Sequence, residues 1–243
     1  MTNFGGRFNG ESLSKLGLNL HAVIDIASLP PSIIQQLARF TNRLTHYSQL
    51  ILIGHAGPQL WKCLQPLELH SQHPFDDYSQ NHCQQFFEQR FSKDDFKLIF
   101  PSHSRADSQP SLIGLQQLGE LVGWHGESPF KVGINAQWGS WFAYRAVVLT
   151  KSAYQPSPIK SNRTPCQSCA NKTCIPACPA DALKNHDLDL KRCIDYRKQT
   201  SSLCKDRCLA RMACPIATDL QYSLAQIQYH YSQSMRVIES LSK

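Results

Sequence analysis

The stretch CQSCANKTCIPAC, residues 166–178, holds four cysteines, and the last is followed by proline. Four more stand at Cys193, Cys204, Cys208 and Cys214, and Cys214 again precedes proline. Thiols at this density pair as disulfides, hold zinc, or hold iron–sulfur clusters. The N-terminus MTNFGGRFNGESLSK lacks the apolar run of a secretory signal, and no run approaches the length of a membrane span. The expectation is therefore a cytoplasmic protein that does not enter the membrane, where cysteines serve as ligands or redox groups more than as disulfides.

The eight cysteines form two groups of four, each ending in Cys-Pro, at 178–179 and 214–215. Closely spaced cysteines on a loop can supply three thiolates to one face of a cubane. The cysteine before proline then points away and reaches the second cluster, as in two-cluster ferredoxins. C-x2-C also opens many four-thiolate zinc motifs, so zinc is the competing reading. The spacing is not the standard one. Four residues separate Cys169 from Cys174, ten separate Cys193 from Cys204, and five separate Cys208 from Cys214. Cys63 and Cys83 sit alone in apolar or helical surroundings and read as buried thiols.

A formal charge of +7 invites a nucleic-acid reading. Two oxidised cubanes with their thiolates, each carrying roughly −2, would leave about +3. Lys191, Arg192, Arg197, Lys198, Lys205, Arg207 and Arg211 lie among the later cysteines. They offset cluster charge or form a solvated face; a docking surface for an acidic redox partner or RNA is the alternative.

Around 165 residues precede the first cysteine group, enough for a core of their own. HAVIDIASLP and SQLILIG read as strands, with a helix at SIIQQLARFTNRL between them. DDYSQNHCQQFFEQRF reads as a helix, FKLIF as a strand and SLIGLQQLGELVG as a helix; FKVGI and SWFAYRAVVLT read as a closing strand pair. Without strict βαβ alternation the fold class is α+β. KSAYQPSPIKSNRTP, residues 151–165, reads as a linker. Leu220, Leu224, Ile227, Tyr231, Met235 and Ile238 share one face of a C-terminal helix. LIGHAGPQLW, residues 52–61, reads as a strand, a glycine turn and a helix start. His55 there is a turn residue or a candidate metal or cobalt ligand.

The layout LDLKRCIDY…LCKDRCLARMACP resembles the cluster region of epoxyqueuosine reductases and of their relatives, the corrinoid-dependent reductive dehalogenases. The resemblance implies two [4Fe–4S] clusters, one on Cys166, Cys169, Cys174 and Cys214, the other on Cys178, Cys193, Cys204 and Cys208. VGINAQWGSWFAYRAVVLT, residues 132–150, is similar to a segment shared by epoxyqueuosine reductases and animal cobalamin-processing proteins. It implies a nitroreductase-like domain with a corrinoid against Trp138, Gly139, Ser140, Trp141 and Phe142. Gly139 and Ser140 would let backbone approach the macrocycle, and the aromatic side chains would wall it. Asp107, in DSQP sixteen residues before Gly123, matches the family's proton donor; from the residues alone it is a loop or helix-cap residue.

The resemblance thus divides the chain into a nitroreductase-like α+β domain over 1–150, a linker over 151–165, a ferredoxin-type two-cluster module over 166–216 and a helix over 217–243. The implied function is an oxidoreductase. An external ferredoxin, flavodoxin or reductase would charge the clusters, and a corrinoid or small-molecule substrate would accept the electrons. The alternatives are a ferredoxin-like carrier without a corrinoid and a cobalamin-reducing or cobalamin-processing protein. A tRNA substrate is doubtful, because 28 residues after Pro215 are too few for a helical-repeat array.

Overall fold

Gln49–Ala56 is an unbroken aliphatic run apart from Gln49 and His55, and such a run must be covered on both faces. In the computed structural model, which describes residues 6–67, 71–101, 112–158, 164–183 and 187–240, this run is strand β2 and every residue of it is buried. It lies inside a four-stranded sheet with β1 (Leu20–Asp25), β3 (Phe96–Phe100) and β4 (Phe142–Thr150), ordered β1-β2-β4-β3. β1 pairs antiparallel to β2, with Val23 opposite Ile51, and β3 antiparallel to β4. The Ser48 amide donates to the Thr150 carbonyl, setting the start of β2 beside the end of β4, so the central pair is antiparallel too.

Helices α1 (Glu11–Lys15), α2 (Pro31–Leu37), α3 (Gln59–Leu64), α4 (Pro74–Glu88) and α5 (Leu115–Leu121) accompany the sheet. Pro74 starts α4, where its missing N–H costs nothing, and Asp76 and Asp77 suit the positive end of the helix. Phe75, Tyr78, Phe86 and Phe87 form its buried face, and Phe87 stacks on Phe96 of β3 with ring centroids 5.9 Å apart.

The chain divides into two compact units, Met1–Val122 with Ala143–Lys160 and Gly123–Phe142 with Ser161–Lys243. This division differs from boundaries at 150 and 166 in two ways. Residues 123–142 belong with the cysteine-rich part. Residues 151–158, read as a linker, are fixed in the first unit: Ser157 exchanges hydrogen bonds with the Val23 backbone, along β1. The buried Gln49 side chain bonds to Asp25, Ser152 and both the N–H and C=O of Tyr154. These contacts occupy backbone groups that a sheet edge leaves open.

The expected strand FKVGI is absent. Residues 123–141 hold only isolated bridges, Gly126 with Ile134 and Asn135 with Gly139. Lys131 has φ +56° and its amide donates to the Ser128 carbonyl, so a turn interrupts the run. His55 is a wholly buried residue of β2, not a turn residue. The second unit carries α6 (Leu190–Lys198), α7 (Leu209–Met212) and α8 (Leu224–Ser240). Ile227 and Met235 of the predicted stripe are buried on α8, while Leu224 is exposed. Among the described residues no helix is long and apolar enough to cross a membrane.

Candidate functional site

Short-range hydrogen bonds shape the first cysteine loop. The Thr164 hydroxyl accepts from the Cys166 amide and donates to the Glu127 carbonyl at 2.8 Å. Lys172 turns the chain at φ +40°. The Thr173 hydroxyl donates to the Ala213 carbonyl at 2.6 Å, fastening this loop to the residue before Cys214. Cys166, Cys169, Cys174 and Cys214 consequently line one cavity of about 340 Å³. Its other side is residues 127–131 and Ile134, from the segment expected to be a strand.

The second set is built by helix starts. Asp189 caps α6 by accepting from the Arg192 amide, which sets Cys193 in the first turn. Cys208 caps α7, its Sγ accepting from the Arg211 amide at 3.5 Å. Cys178, Cys193, Cys204 and Cys208 line a second cavity of about 170 Å³, with apolar Leu183, Ala210 and Phe130 in its wall. Phe130 borders both cavities. It packs in one cluster with Cys174, Leu183 and Ala210, against which Cys178 and Cys208 also rest.

The thiols within each set affect one another. Burial, then the other thiols, raise the pKa of Cys174, where Cys214, Cys166 and Cys169 contribute. Cys193 is pushed up to about 11, mainly by burial, with Cys208, Cys178 and Cys204 adding and Arg197 opposing. Burial raises Cys166, Cys204 and Cys214 as well. Buried thiols that resist ionising suit a group whose cationic metal supplies the missing positive charge. A single zinc ion with Zn–S bonds of about 2.3 Å would draw its sulfurs to roughly 3.8 Å from one another. Among the described residues, no three Cys, His, Asp or Glu side chains are gathered as they would be round one metal ion. The thiols instead line two cavities, four to each.

The residues expected to wall a corrinoid have these surroundings within their unit. Gly139 has φ +57°, and a side chain there would collide with the Ile216 carbonyl. Ser140 is wholly buried and accepts hydrogen bonds from Arg211 at both its hydroxyl and its carbonyl. Trp141 is wholly buried between the Arg211 guanidinium, 4.6 Å from its ring, and Tyr222, at 5.4 Å. Phe142 is buried, leaving half-exposed Trp138, whose ring meets Trp124 and Phe142 at 5.8 Å each. Asp107 lies outside the described residues.

Cys63 and Cys83 both belong to the first unit, and Cys83 is fully buried in α4 with its thiol pushed up to about 12 by burial. Sequence reasoning missed Phe130 and its neighbours; it named Arg197 and Arg211 as offsetting cluster charge or forming a solvated face, and Tyr231 only as part of a packing stripe. Both arginines are buried, although their setting among charged residues resembled a solvated face.

No protein family matches the chain as a pattern, and no curated protein matches it. Solved structures do. The Bacillus subtilis epoxyqueuosine reductase, in a form with its catalytic aspartate loop swung out of the active site, is 15% identical with a TM-score of 0.51; the match covers 88% of this chain and 65% of that one. The Streptococcus thermophilus epoxyqueuosine reductase is 12% identical with a TM-score of 0.50, covering 88% of this chain and 66% of that one. The chain spans about two thirds of the length of these enzymes, and what it shares with them is the fold.

Proposed function

We propose that the chain is an iron–sulfur redox protein of the epoxyqueuosine reductase kind, with a nitroreductase-like α+β part and a ferredoxin-type part. Cys166, Cys169, Cys174 and Cys214 would hold one [4Fe–4S] cluster, and Cys178, Cys193, Cys204 and Cys208 the other. The observation that carries this reading is that two cavities in one unit are each lined by four cysteines and separated by shared apolar wall. Bound there, the clusters would supply one-electron transfer at low potential. The protein's residues bind them through thiolate sulfur, keep water from the second site with Phe130, Leu183 and Ala210, and hold Cys208 by the α7 amide. An external ferredoxin, flavodoxin or reductase is the proposed donor.

For the acceptor, the burial of Ser140 and Trp141 favours a reading in which residues 138–142 brace the cluster unit. No step is routed through a corrinoid. A carrier that hands electrons to a partner then becomes the second reading. The doubt about tRNA rested only on the length of chain after Pro215, and it is not carried forward.

Anaerobic reconstitution tests the main reading. About eight iron and eight sulfide per chain, with broad absorption near ~400 nm, is the expected result. Stoichiometric zinc without sulfide would overturn it. Adding cob(II)alamin, and separately an epoxyqueuosine-bearing tRNA stem loop, to the reduced protein tests the acceptor. A changed cobalt paramagnetic spectrum restores a corrinoid, and loss of the epoxide identifies the substrate.

A further inference from the structure

Arg197 ends α6 as a buried cation, 7% exposed, at the edge of the second cysteine cavity. Its guanidinium donates to the carbonyls of Cys204 at 3.0 Å, Lys205 at 3.2 Å and Tyr231 at 3.1 Å, and to the Ser234 hydroxyl at 3.0 Å. It also faces the Tyr231 ring, 5.5 Å from the centroid. Every one of these partners is neutral, and among the described residues no Asp or Glu forms an ion pair with it. Neighbouring cations differ: Lys191 pairs with Asp195, Arg192 with Asp181 and Arg207 with Asp206. Burying a guanidinium without a counter-ion costs several kcal/mol, so a buried arginine calls for a negative charge nearby. Here the candidates are Cys193, one turn before Arg197 on α6, and Cys204, whose carbonyl accepts from its guanidinium; both line the same cavity as Arg197. Among the described residues that line the first cavity the cations are Lys131, which is exposed, and the half-buried Lys172.

We propose that Arg197 is the counter-ion of a cluster on Cys178, Cys193, Cys204 and Cys208, and that it sets that cluster's reduction potential without touching the first cluster. This rests on the two-cluster reading above. Reduction adds one electron and one unit of negative charge, with no bond made or broken; in the titration described here the electron comes from dithionite. A fixed positive charge held at the ligand carbonyls favours the reduced form. Arg197 is a positioning and tuning residue in this account, and Arg211 is not its equivalent: its guanidinium is turned to Ser140 and Trp141.

The experiment is a redox titration of reconstituted full-length protein followed by electron paramagnetic resonance, with iron and sulfide assayed on each sample. Arg197→Gln should lower the reduction equilibrium constant of the second cluster about tenfold, or about 59 mV for one electron. Arg197→Lys should recover most of that loss, and the first cluster should stay put. Ser234→Asp, at an exposed site, places a carboxylate on the guanidinium while leaving Arg197 in position. It should move the second cluster the same way by about threefold, and it decides alone if Arg197→Gln fails to load iron. An unchanged second potential at full iron content, or an equal shift of both clusters, overturns the proposal. Absence of iron and sulfide from the wild-type protein is a separate failure, that of the two-cluster reading.

Discussion

The carbonyl of Ile216 occupies the space that a side chain on Gly139 would need. Ile216 lies two residues beyond Cys214, so the Gly-x-Trp-Phe element is pressed against a ligand-bearing segment. Gly139 also has φ +57°, which L side chains adopt only under strain. Gly139→Ala should therefore destabilise the second unit by about 1–3 kcal/mol. It should also lower iron retention at Cys166, Cys169, Cys174 and Cys214 before it affects the other set. Iron assay with resonance spectroscopy of the variant checks this. Intact clusters with altered corrinoid binding would restore the cofactor role for this glycine.

Gln49 makes a second prediction, in the first unit. Its buried amide uses both donors and its oxygen on Asp25, Ser152 and Tyr154. Gln49→Leu leaves several of those groups buried without partners, a loss of about 2–4 kcal/mol. Urea unfolding should show a lower midpoint with an unchanged slope. A loss under about 0.5 kcal/mol would mean that residues 151–158 contribute little to holding β1.

The two cysteines outside the cavities should respond differently to alkylation. The thiolate is the reacting form, and burial pushes Cys83 up to about 12, so at pH 8 roughly one molecule in ten thousand carries it. Cys83 should stay unlabelled until the protein unfolds. Cys63 is half-buried, accepts a long contact from Gln59 at 3.7 Å and donates one to the Lys15 carbonyl at 3.8 Å. In cluster-loaded protein it should be the first cysteine modified by iodoacetamide, as read by peptide mass spectrometry. Early labelling of Cys83 would contradict the packing of α4.

What could be read from the sequence was local. Cys-Pro spacing and the aliphatic runs of β1, β2 and β3 follow from residues close in the chain, and the structure has cysteine-lined cavities and strands there. Contacts across long separations could not be read. FKVGI has the composition of a strand, yet Lys131 takes a left-handed conformation and Gly133 packs where a side chain would meet the His125 ring. Arg197 shows the same limit: only the approach of Tyr231 and Ser234, more than thirty residues later, buries it. The Pro and Ser residues that suggested a flexible linker stand where Ser157 bonds to β1. Composition describes a residue's average surroundings, and these residues are where tertiary partners depart from the average.

The crossover between cysteine sets gives the last prediction. The Thr173 hydroxyl bonded to the Ala213 carbonyl brings Cys174 and Cys214 to one cavity although they stand forty positions apart. Cys178, only four residues after Cys174, turns to the other cavity with Cys193. Cys214→Ser should accordingly disturb the same cluster as Cys166→Ser, and Cys178→Ser the same cluster as Cys193→Ser. Paramagnetic spectra of the four single variants, each reduced to a half-load of iron, should fall into those two pairs. Thr173→Val should give a milder version of the Cys214→Ser spectrum, since it loosens the tie without removing a ligand, at a cost of about 1 kcal/mol. Cys166 and Cys178 perturbing one common cluster would contradict the crossover and return the pairing to sequential groups of four.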